Sequence, residues 1–188
     1  MRIGIYGGSF DPPHLGHKKV AEFVVKNLNL DKLLIIPVGI ASHGKNNLSN
    51  SILRYEMCVL NFSDIEKVEI SKIELEKDEL SYTYRTLENI INIYGKNNEY
   101  FEIIGSDSAA YFTKWKNYNS ILENSTVVIL RRKGYTSEIK SEKIIEFENE
   151  YFDVSSTEIK EKLKYNEDCR EFLDKKLINF IKENNLYK

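Results

Sequence analysis

The sequence predicts an α/β fold, with a mostly parallel sheet and helices on both of its faces. Short apolar runs typical of buried strands alternate with longer segments whose apolar residues recur at helical spacing. In addition, the 188 residues contain no internal repeat, low-complexity tract or interdomain linker. We therefore expect a single domain over 1–188, large enough for one substantial core.

The first half of the chain predicts strands at 2–6 and 33–37, which are short apolar runs, and a third strand at 68–70. Helices are expected between them, over about 15–28 and through the segment around Arg54, and a third opens at 81–83. Polar residues at 39–50 predict a loop, and the charged residues at 71–80 predict a surface connection.

The second half predicts a central strand at 100–104, ending at Gly105, and another at 126–130. The charged segment 136–150 predicts no regular element. A helix is expected from about 156, and the apolar stripe of a final helix comprises Leu173, Leu177, Phe180 and Ile181. In such a fold the ligand binds beyond the carboxyl ends of the strands, where the strand order reverses.

Composition favours an enzyme acting on small molecules. The net charge of −2 provides no broad basic field for nucleic acid, and no apolar run reaches the roughly 20 residues that span a bilayer. Two isolated cysteines, Cys58 and Cys169, without a secretory leader predict a reducing, cytoplasmic location. A homo-oligomer is compatible with these data.

The run from Ile3 to His17 is the most specific motif in the chain. Gly7 and Gly8 follow a strand and let the backbone approach a ligand closely. The next helix offers free N–H groups to phosphate, and His14 and His17 are spaced to share one face of it. A zinc site would need all three histidines or an added carboxylate, so this pattern favours a nucleoside triphosphate over a metal.

Residues 105–108 lie just beyond a predicted strand, and Trp115 follows ten residues after Gly105. Asp107 could cap a helix or accept hydrogen bonds from a nucleotide ribose. Trp115 could belong to the core, or it could stack on a flat heteroaromatic ring. A tryptophan in a polar context, here between Lys114 and Lys116, is suited to such stacking.

Two other segments open predicted helices. Residues 81–83 could bind a small anion such as a carboxylate, or simply cap the helix. Ser155 and Glu158 form a capping box, and the hydroxyls of 155–157 could bind phosphate as well. Basic residues at 131–134 follow a strand and could reach a triphosphate, and weaker candidates for the same role are Lys18 and Lys45.

The motif from Gly7 to His17 resembles the H-x-G-H signature of the adenylyl- and cytidylyltransferase superfamily. With the Ser81-Tyr82-Thr83, Gly105-x-Asp107, Arg132-x-Gly134 and Ser155-Ser156-Thr157 segments, most of the chain is similar to the bacterial nicotinate mononucleotide adenylyltransferases. The resemblance implies a Rossmann-like doubly wound fold. It also implies transfer of AMP from ATP to nicotinate mononucleotide, giving deamido-NAD and pyrophosphate in NAD biosynthesis.

The resemblance also assigns roles to residues. Catalysis falls to His14 and His17. ATP binding falls to Gly7, Gly8, Ser9, Phe10, Gly16, Gly105, Asp107, Arg132, Ser155, Ser156 and Thr157. Mononucleotide binding falls to Asp11, His43, Lys45, Tyr82, Thr83 and Trp115. We expect Mg²⁺ to arrive on the ATP phosphates, since the sequence shows no dedicated carboxylate site for it.

Three departures from the family pattern concern the loop 41–45, Arg85 in place of an aspartate, and Lys160 in place of an arginine. Lysine keeps the charge but loses the bidentate geometry of arginine. None of the three affects the histidine signature. The alternatives are another H-x-G-H enzyme, acting on nicotinamide mononucleotide, phosphopantetheine or a cytidylyl substrate, and a non-catalytic nucleotide sensor.

Overall fold

A six-stranded sheet forms the centre of the computed structural model, which describes residues 1–41, 48–76, 79–131, 141–148 and 155–188. Within those ranges the strands are β1 Arg2–Gly8, β2 Lys32–Pro37, β3 Ile40–Ala41, β4 Val68–Ile70, β5 Leu80–Ser81, β6 Glu99–Gly105, β7 Thr126–Leu130 and β8 Ile144–Phe147. The large sheet has the order β4-β2-β1-β6-β7-β8, and β3 pairs with β5 in a small separate sheet. All of these pairings are parallel, which confirms the predicted fold class.

The helices in the described part of the chain are α1 Leu15–Asn27, α2 Ser51–Phe62, α3 Thr83–Tyr94, α4 Ser106–Ala109, α5 Tyr118–Asn124, α6 Ser156–Lys164 and α7 Lys175–Glu183, with a 3-10 turn at Phe112–Lys114. The predicted cap of α6 is present, since the Ser155 hydroxyl accepts a hydrogen bond of 3.2 Å from the Glu158 N–H. Helix α3 ends at Gly95, whose φ of 95° favours glycine. None of the helices in the described ranges is long and apolar enough to cross a membrane.

Each face of the large sheet is covered by its own layer of helices. On one face, Tyr100 and Ile104 of β6 pack with Leu87 and Ile90 of α3 and with α5. On the other, Phe101 of β6 packs with residues of α1 and α2. A third apolar cluster joins α6 and α7 to α2. Alternate residues of β6 therefore face different helical layers.

The sheet order reverses between β1 and β6. The chain continues from β1 to β2 and β4 on one side, whereas β6, β7 and β8 lie on the other. In the register of the pair, Ile5 lies beside Glu102, so the two strands end next to each other, β1 at Gly8 and β6 at Gly105. The general rule for such sheets places the ligand beyond these two ends.

Sequence reasoning found β1, β2, β4, β6 and β7 but missed β3, β5, β8 and the shorter helices. Strand β8 lies in the charged segment for which no element was expected, and it is half-buried at the edge of the sheet, beside β7 only. A strand in that position needs little apolar sequence. Helices α4 and α5, the 3-10 turn and the β3–β5 pair were also missed, because they are short. Leu173 was wrongly placed on the final helix: it is buried, but it precedes Asp174, the N-cap of α7.

Candidate active site

Two cavities open at the carboxyl ends of β1 and β6. The first, of about 510 Å³, is named the histidine cavity, because His14 and His17 line it. The second, of about 740 Å³, is named the aromatic cavity, because Tyr82, Tyr111 and Trp115 line it. They share a wall formed by Tyr6, Gly7, Gly8, Ser9, Gly105, Asp107 and Ser108. Ligands in the two cavities would therefore meet at this wall.

The predicted site residues in the described ranges divide between these cavities. Tyr82, Thr83 and Trp115, which were predicted to bind the mononucleotide, line the aromatic cavity. Apart from the residues of the shared wall, the histidine cavity is lined by the predicted residues Phe10, Asp11, His14, Gly16, His17, Ser155, Ser156 and Thr157. Asp11, which the sequence assigned to the mononucleotide, thus lies with the ATP group. The predicted residues His43, Lys45 and Arg132 lie outside the described residues.

The two histidines stand at the start of α1, with ring centroids 3.7 Å apart. His14 is only 2% exposed, and its backbone N–H donates to Nδ1 of His17 at 3.2 Å. Because Nδ1 of His17 accepts, the neutral imidazole must carry its proton on Nε2. His17 can therefore donate through Nε2 while its ring is held by the backbone. Asn61, which sequence reasoning missed, donates to the His14 carbonyl at 3.4 Å from α2.

The two glycines at the end of β1 differ in their surroundings. A Cβ added at Gly7 would meet no protein atom within 4 Å, whereas one at Gly8 would lie 3.0 Å from the ring of Phe10. Gly7 lines both cavities, so a side chain there would take up ligand space. Phe10 has a φ of 46°, is buried and packs against His17 with ring centroids 5.1 Å apart. Phe10 therefore lines the histidine cavity and packs against one of its two histidines.

Asp11 is a buried anchor with three hydrogen-bond donors. Lys160 and the Ser49 N–H donate to its Oδ2, and the Tyr187 hydroxyl donates to Oδ1 at 2.6 Å. Burial acts to raise the pKa of Asp11, but the hydrogen bonds from Lys160, Tyr187 and Ser49 outweigh it and lower that pKa. The ionised carboxylate holds Lys160 against the histidine cavity.

Arg54 connects the loops around both cavities. Its guanidinium, in a residue only 1% exposed, donates to three backbone carbonyls: Ser9 at 2.9 Å, Val38 at 2.7 Å and Ser49 at 2.9 Å. Burial lowers its pKa, and the nearby Asp11 charge partly offsets that effect. The sequence placed Arg54 in a helix and, with Tyr55, among the segments of the family resemblance, but assigned it no role, because its three partners are set by the tertiary fold.

The start of α6 is joined to the loop of the histidine signature. The Ser156 hydroxyl donates to the Pro12 carbonyl at 2.9 Å, while Ser155 caps the helix. Ser156 and Thr157 line the histidine cavity along with Lys160. A helix N-terminus, two hydroxyls and a cation thus face the same space as the histidines, an arrangement suited to phosphate.

The aromatic cavity is built by two segments. Helix α3 begins within the segment 81–83, as the sequence predicted; its N-cap is Tyr82, and no side chain in the described ranges caps it there. Trp115 is half-buried and packs against Phe112, with ring centroids 5.4 Å apart. The Nζ atom of Lys116 lies 4.6 Å above the ring of Tyr82 and links the two segments. Part of the indole therefore belongs to the core, and part lines the cavity.

Two acidic residues that sequence reasoning missed also line the aromatic cavity. Glu74 accepts from the Thr86 hydroxyl at 2.7 Å and from the Gly39 N–H at 3.3 Å. Glu102, in the middle of β6, is 4% exposed, and its Oε2 has no hydrogen-bond partner among the described residues. A single charged residue inside an otherwise apolar central strand was a signal that could have identified Glu102.

Two basic residues discussed from the sequence are engaged elsewhere. Arg85 donates to Glu79 at 2.8 Å and to the Tyr84 hydroxyl at 3.0 Å, and Lys18 pairs with Asp64 at 2.7 Å. Neither residue lines the histidine cavity or the aromatic cavity. Among the departures from the family pattern, Lys160 is one that lines the histidine cavity.

Sequence comparison identifies similar proteins along almost the whole chain. The cytidylyltransferase-like family matches residues 5–162. A protein named probable nicotinate-nucleotide adenylyltransferase from Fusobacterium nucleatum is 47% identical, with 97% of this chain and 98% of that protein covered. A protein of the same name from Clostridium botulinum is 37% identical over 100% of this chain and 98% of its own length.

Structural comparison finds the same architecture. The nicotinic acid mononucleotide adenylyltransferase of Plasmodium falciparum, solved in complex with NaAD, superposes with a TM-score of 0.83 and 20% identity. The superposition covers 99% of this chain and 97% of that one. At this level of identity the likeness concerns the fold.

Proposed function

This chain belongs to the cytidylyltransferase-like family, and from that premise we propose that its two cavities hold the two substrates of one adenylyl transfer. The enzyme is a nicotinate-nucleotide adenylyltransferase of NAD biosynthesis, which transfers AMP from ATP to nicotinate mononucleotide and releases deamido-NAD and pyrophosphate. The observation that carries the site assignment is the shared wall. Two ligands that meet at Gly7–Ser9 and Gly105–Ser108 can bring their phosphates together.

The ATP phosphates occupy the histidine cavity in this proposal. Its lining combines the N-termini of α1 and α6 with His14, His17 and Lys160. These groups are donors or cations, whereas the one buried carboxylate, Asp11, is already neutralised by Lys160 and by two further hydrogen bonds. We assign Asp11 to holding Lys160 and not to contact with the mononucleotide. Mg²⁺ enters as part of the ATP substrate, bound by its phosphates.

The pyridine ring of the mononucleotide occupies the aromatic cavity, where Trp115 offers a stacking surface and the start of α3 offers N–H groups near Tyr82 and Thr83. Its phosphate then lies at the shared wall. The wall is the one part of this cavity from which the phosphate can reach a ligand in the histidine cavity. This placement orients the ring away from the reacting atoms.

The reaction needs positioning and charge stabilisation. A phosphate oxygen of the mononucleotide attacks the α-phosphorus of ATP, and the bond from that phosphorus to the leaving pyrophosphate breaks. The attacking oxygen is already ionised near neutral pH, so no general base is required. His17 donates through Nε2, and His14, Lys160 and the two helix N-termini stabilise the charge that develops on the phosphates.

A product assay tests the assignment. The purified protein is incubated with Mg-ATP and, separately, nicotinate mononucleotide, nicotinamide mononucleotide and phosphopantetheine, and pyrophosphate and the dinucleotide product are quantified. We expect kcat/KM to favour nicotinate mononucleotide by at least ~100-fold, because charge-assisted hydrogen bonds to its carboxylate are about twice as strong as neutral ones. Comparable or greater turnover of another acceptor contradicts this substrate assignment.

Trp115 provides an independent test of where the ring binds, since it is the single tryptophan of the chain. Nicotinate mononucleotide should quench its fluorescence saturably, at concentrations near the KM. Turnover with unchanged tryptophan emission would show that the ring lies elsewhere.

A further inference from the structure

Glu102 is a buried acidic side chain that the adenylyl-transfer mechanism leaves without a role. It lies on the face of β6 that carries Tyr100 and Ile104, both members of the apolar cluster beneath α3. The residue is 4% exposed and lines the aromatic cavity. Its Oε2 has no hydrogen-bond partner among the described residues. Because an unpaired buried carboxyl is unfavourable, a partner supplied by a ligand would account for its position.

The surroundings determine which form of Glu102 is present. Other titratable or charged residues that line the aromatic cavity are Tyr6, Glu74, Tyr82, Asp107, Tyr111, Lys114 and Lys116. Burial, and then the charge of Glu74, raise the pKa of Glu102 well above its ordinary value. Glu74 accepts hydrogen bonds at both of its oxygens, from Thr86 and Gly39. Burial and the neighbouring Glu74 thus both favour the protonated form of Glu102.

We propose that Glu102 is a specificity-determining residue, whose protonated carboxyl donates a hydrogen bond to the ring carboxylate of nicotinate mononucleotide. This inference rests on the proposed function, since it requires the pyridine ring to occupy the aromatic cavity. A carboxylate offers acceptors only, and it would meet donors on two sides: the Glu102 O–H from β6 and the N–H groups at the start of α3. No proton is transferred in this interaction.

The same geometry disfavours nicotinamide. Its neutral amide can donate to the second oxygen of Glu102 and accept from the N–H groups of α3, but these are neutral hydrogen bonds. The nicotinate carboxylate accepts charge-assisted hydrogen bonds from both sets of donors, and these are about twice as strong. An ionised Glu102 would reverse this preference, because it would accept from the amide and repel the carboxylate. When Glu102 is protonated, its side chain is neutral and donates a hydrogen bond, so it can contribute to binding an anion.

Variants of Glu102 distinguish these cases. Gln keeps a neutral donor of the same shape, whereas Leu has no donor and suits the apolar face. We expect Glu102→Gln to retain the preference for nicotinate over nicotinamide mononucleotide within about threefold, and Glu102→Leu to lower it by about tenfold or more through a higher KM for nicotinate mononucleotide. The KM for ATP should stay unchanged. Glu99→Gln, an exposed change on the same strand, is the matched control.

Each result decides the proposal. An unchanged substrate preference in Glu102→Leu overturns it, as does an equal loss in both variants, which would mean that a neutral donor at this position does not set the preference. Thermal unfolding and ATP-analogue binding show whether a variant is folded. If the unaltered enzyme fails to make deamido-NAD at all, the proposed function fails. If it makes deamido-NAD but the two variants do not differ, only the role of Glu102 fails.

Discussion

The Tyr187 hydroxyl donates to the Asp11 carboxylate at 2.6 Å, across 176 positions of sequence. This contact joins the residues that follow α7 to the loop of the histidine signature. The same carboxylate holds Lys160, so Tyr187 influences the histidine cavity without lining it.

Replacement of Tyr187 by Phe tests that influence. Loss of the hydroxyl leaves Oδ1 of Asp11 without this donor, and we expect a loss of about 1–3 kcal/mol in the free energy of unfolding. The KM for ATP should rise severalfold, since Lys160 is held less firmly. Denaturant unfolding and steady-state kinetics measure the two effects. Tyr165→Phe, at a residue that is 70% exposed, is the control. Equal stability of both variants would show that the bond to Asp11 contributes nothing.

Replacement of His14 or His17 by Ala should reduce kcat by at least ~100-fold, the usual effect of losing one preorganised group that stabilises developing charge. Substrate KM values should change much less, because several other groups contact the phosphates. Glu22→Ala, an exposed change on the same helix, should behave as the unaltered enzyme. Near-normal turnover in both histidine variants would remove these residues from the mechanism.

Substitutions at two glycines of β1 separate effects on ligand binding from effects on core packing. Gly7→Ala should leave stability nearly unchanged, since its Cβ meets no protein atom within 4 Å, but should raise substrate KM. Gly4→Ala should have the opposite effect, because its Cβ would lie 2.6 Å from a Leu30 methyl group. We expect the second change to destabilise the protein by about 1–3 kcal/mol. Unaltered kinetics in Gly7→Ala would place the ligand away from this strand.

The raised pKa of Glu102 also predicts a pH dependence of stability. Between the ordinary value of 4.5 and the raised value, the native chain holds a proton that the unfolded chain has released. The free energy of unfolding therefore falls as pH rises through this window. Glu102→Gln removes the effect, so its stability relative to the unaltered protein should increase as pH rises above the ordinary value of 4.5, as denaturant unfolding would measure. Parallel pH curves would contradict burial of a protonated Glu102.

Local sequence was sufficient for the fold class, because the central strands are largely apolar runs and because Ser155 and Glu158 signal the start of α6. The contacts that form the site join residues that lie far apart in the sequence. Neither the three carbonyl partners of Arg54 nor the bond between Asp11 and Tyr187 has a local signature. Glu102 was visible as a charged residue within a strand, but its role depends on the cavity that α3 and Trp115 complete.

The three carbonyls bound by Arg54 belong to loops that border the histidine cavity and the aromatic cavity. Ser9 lies in the shared wall, Val38 borders the aromatic cavity, and Ser49 precedes α2 beside Leu48 of the histidine cavity. Reacting atoms must approach each other to about 3–3.5 Å. The reaction rate is therefore more sensitive to a change in the distance between the two substrates than to a displacement of both substrates together. Because a single rigid guanidinium fixes all three loops, thermal displacements of the loops are correlated. Motion of the site as a whole then leaves the alignment of the two phosphates unchanged.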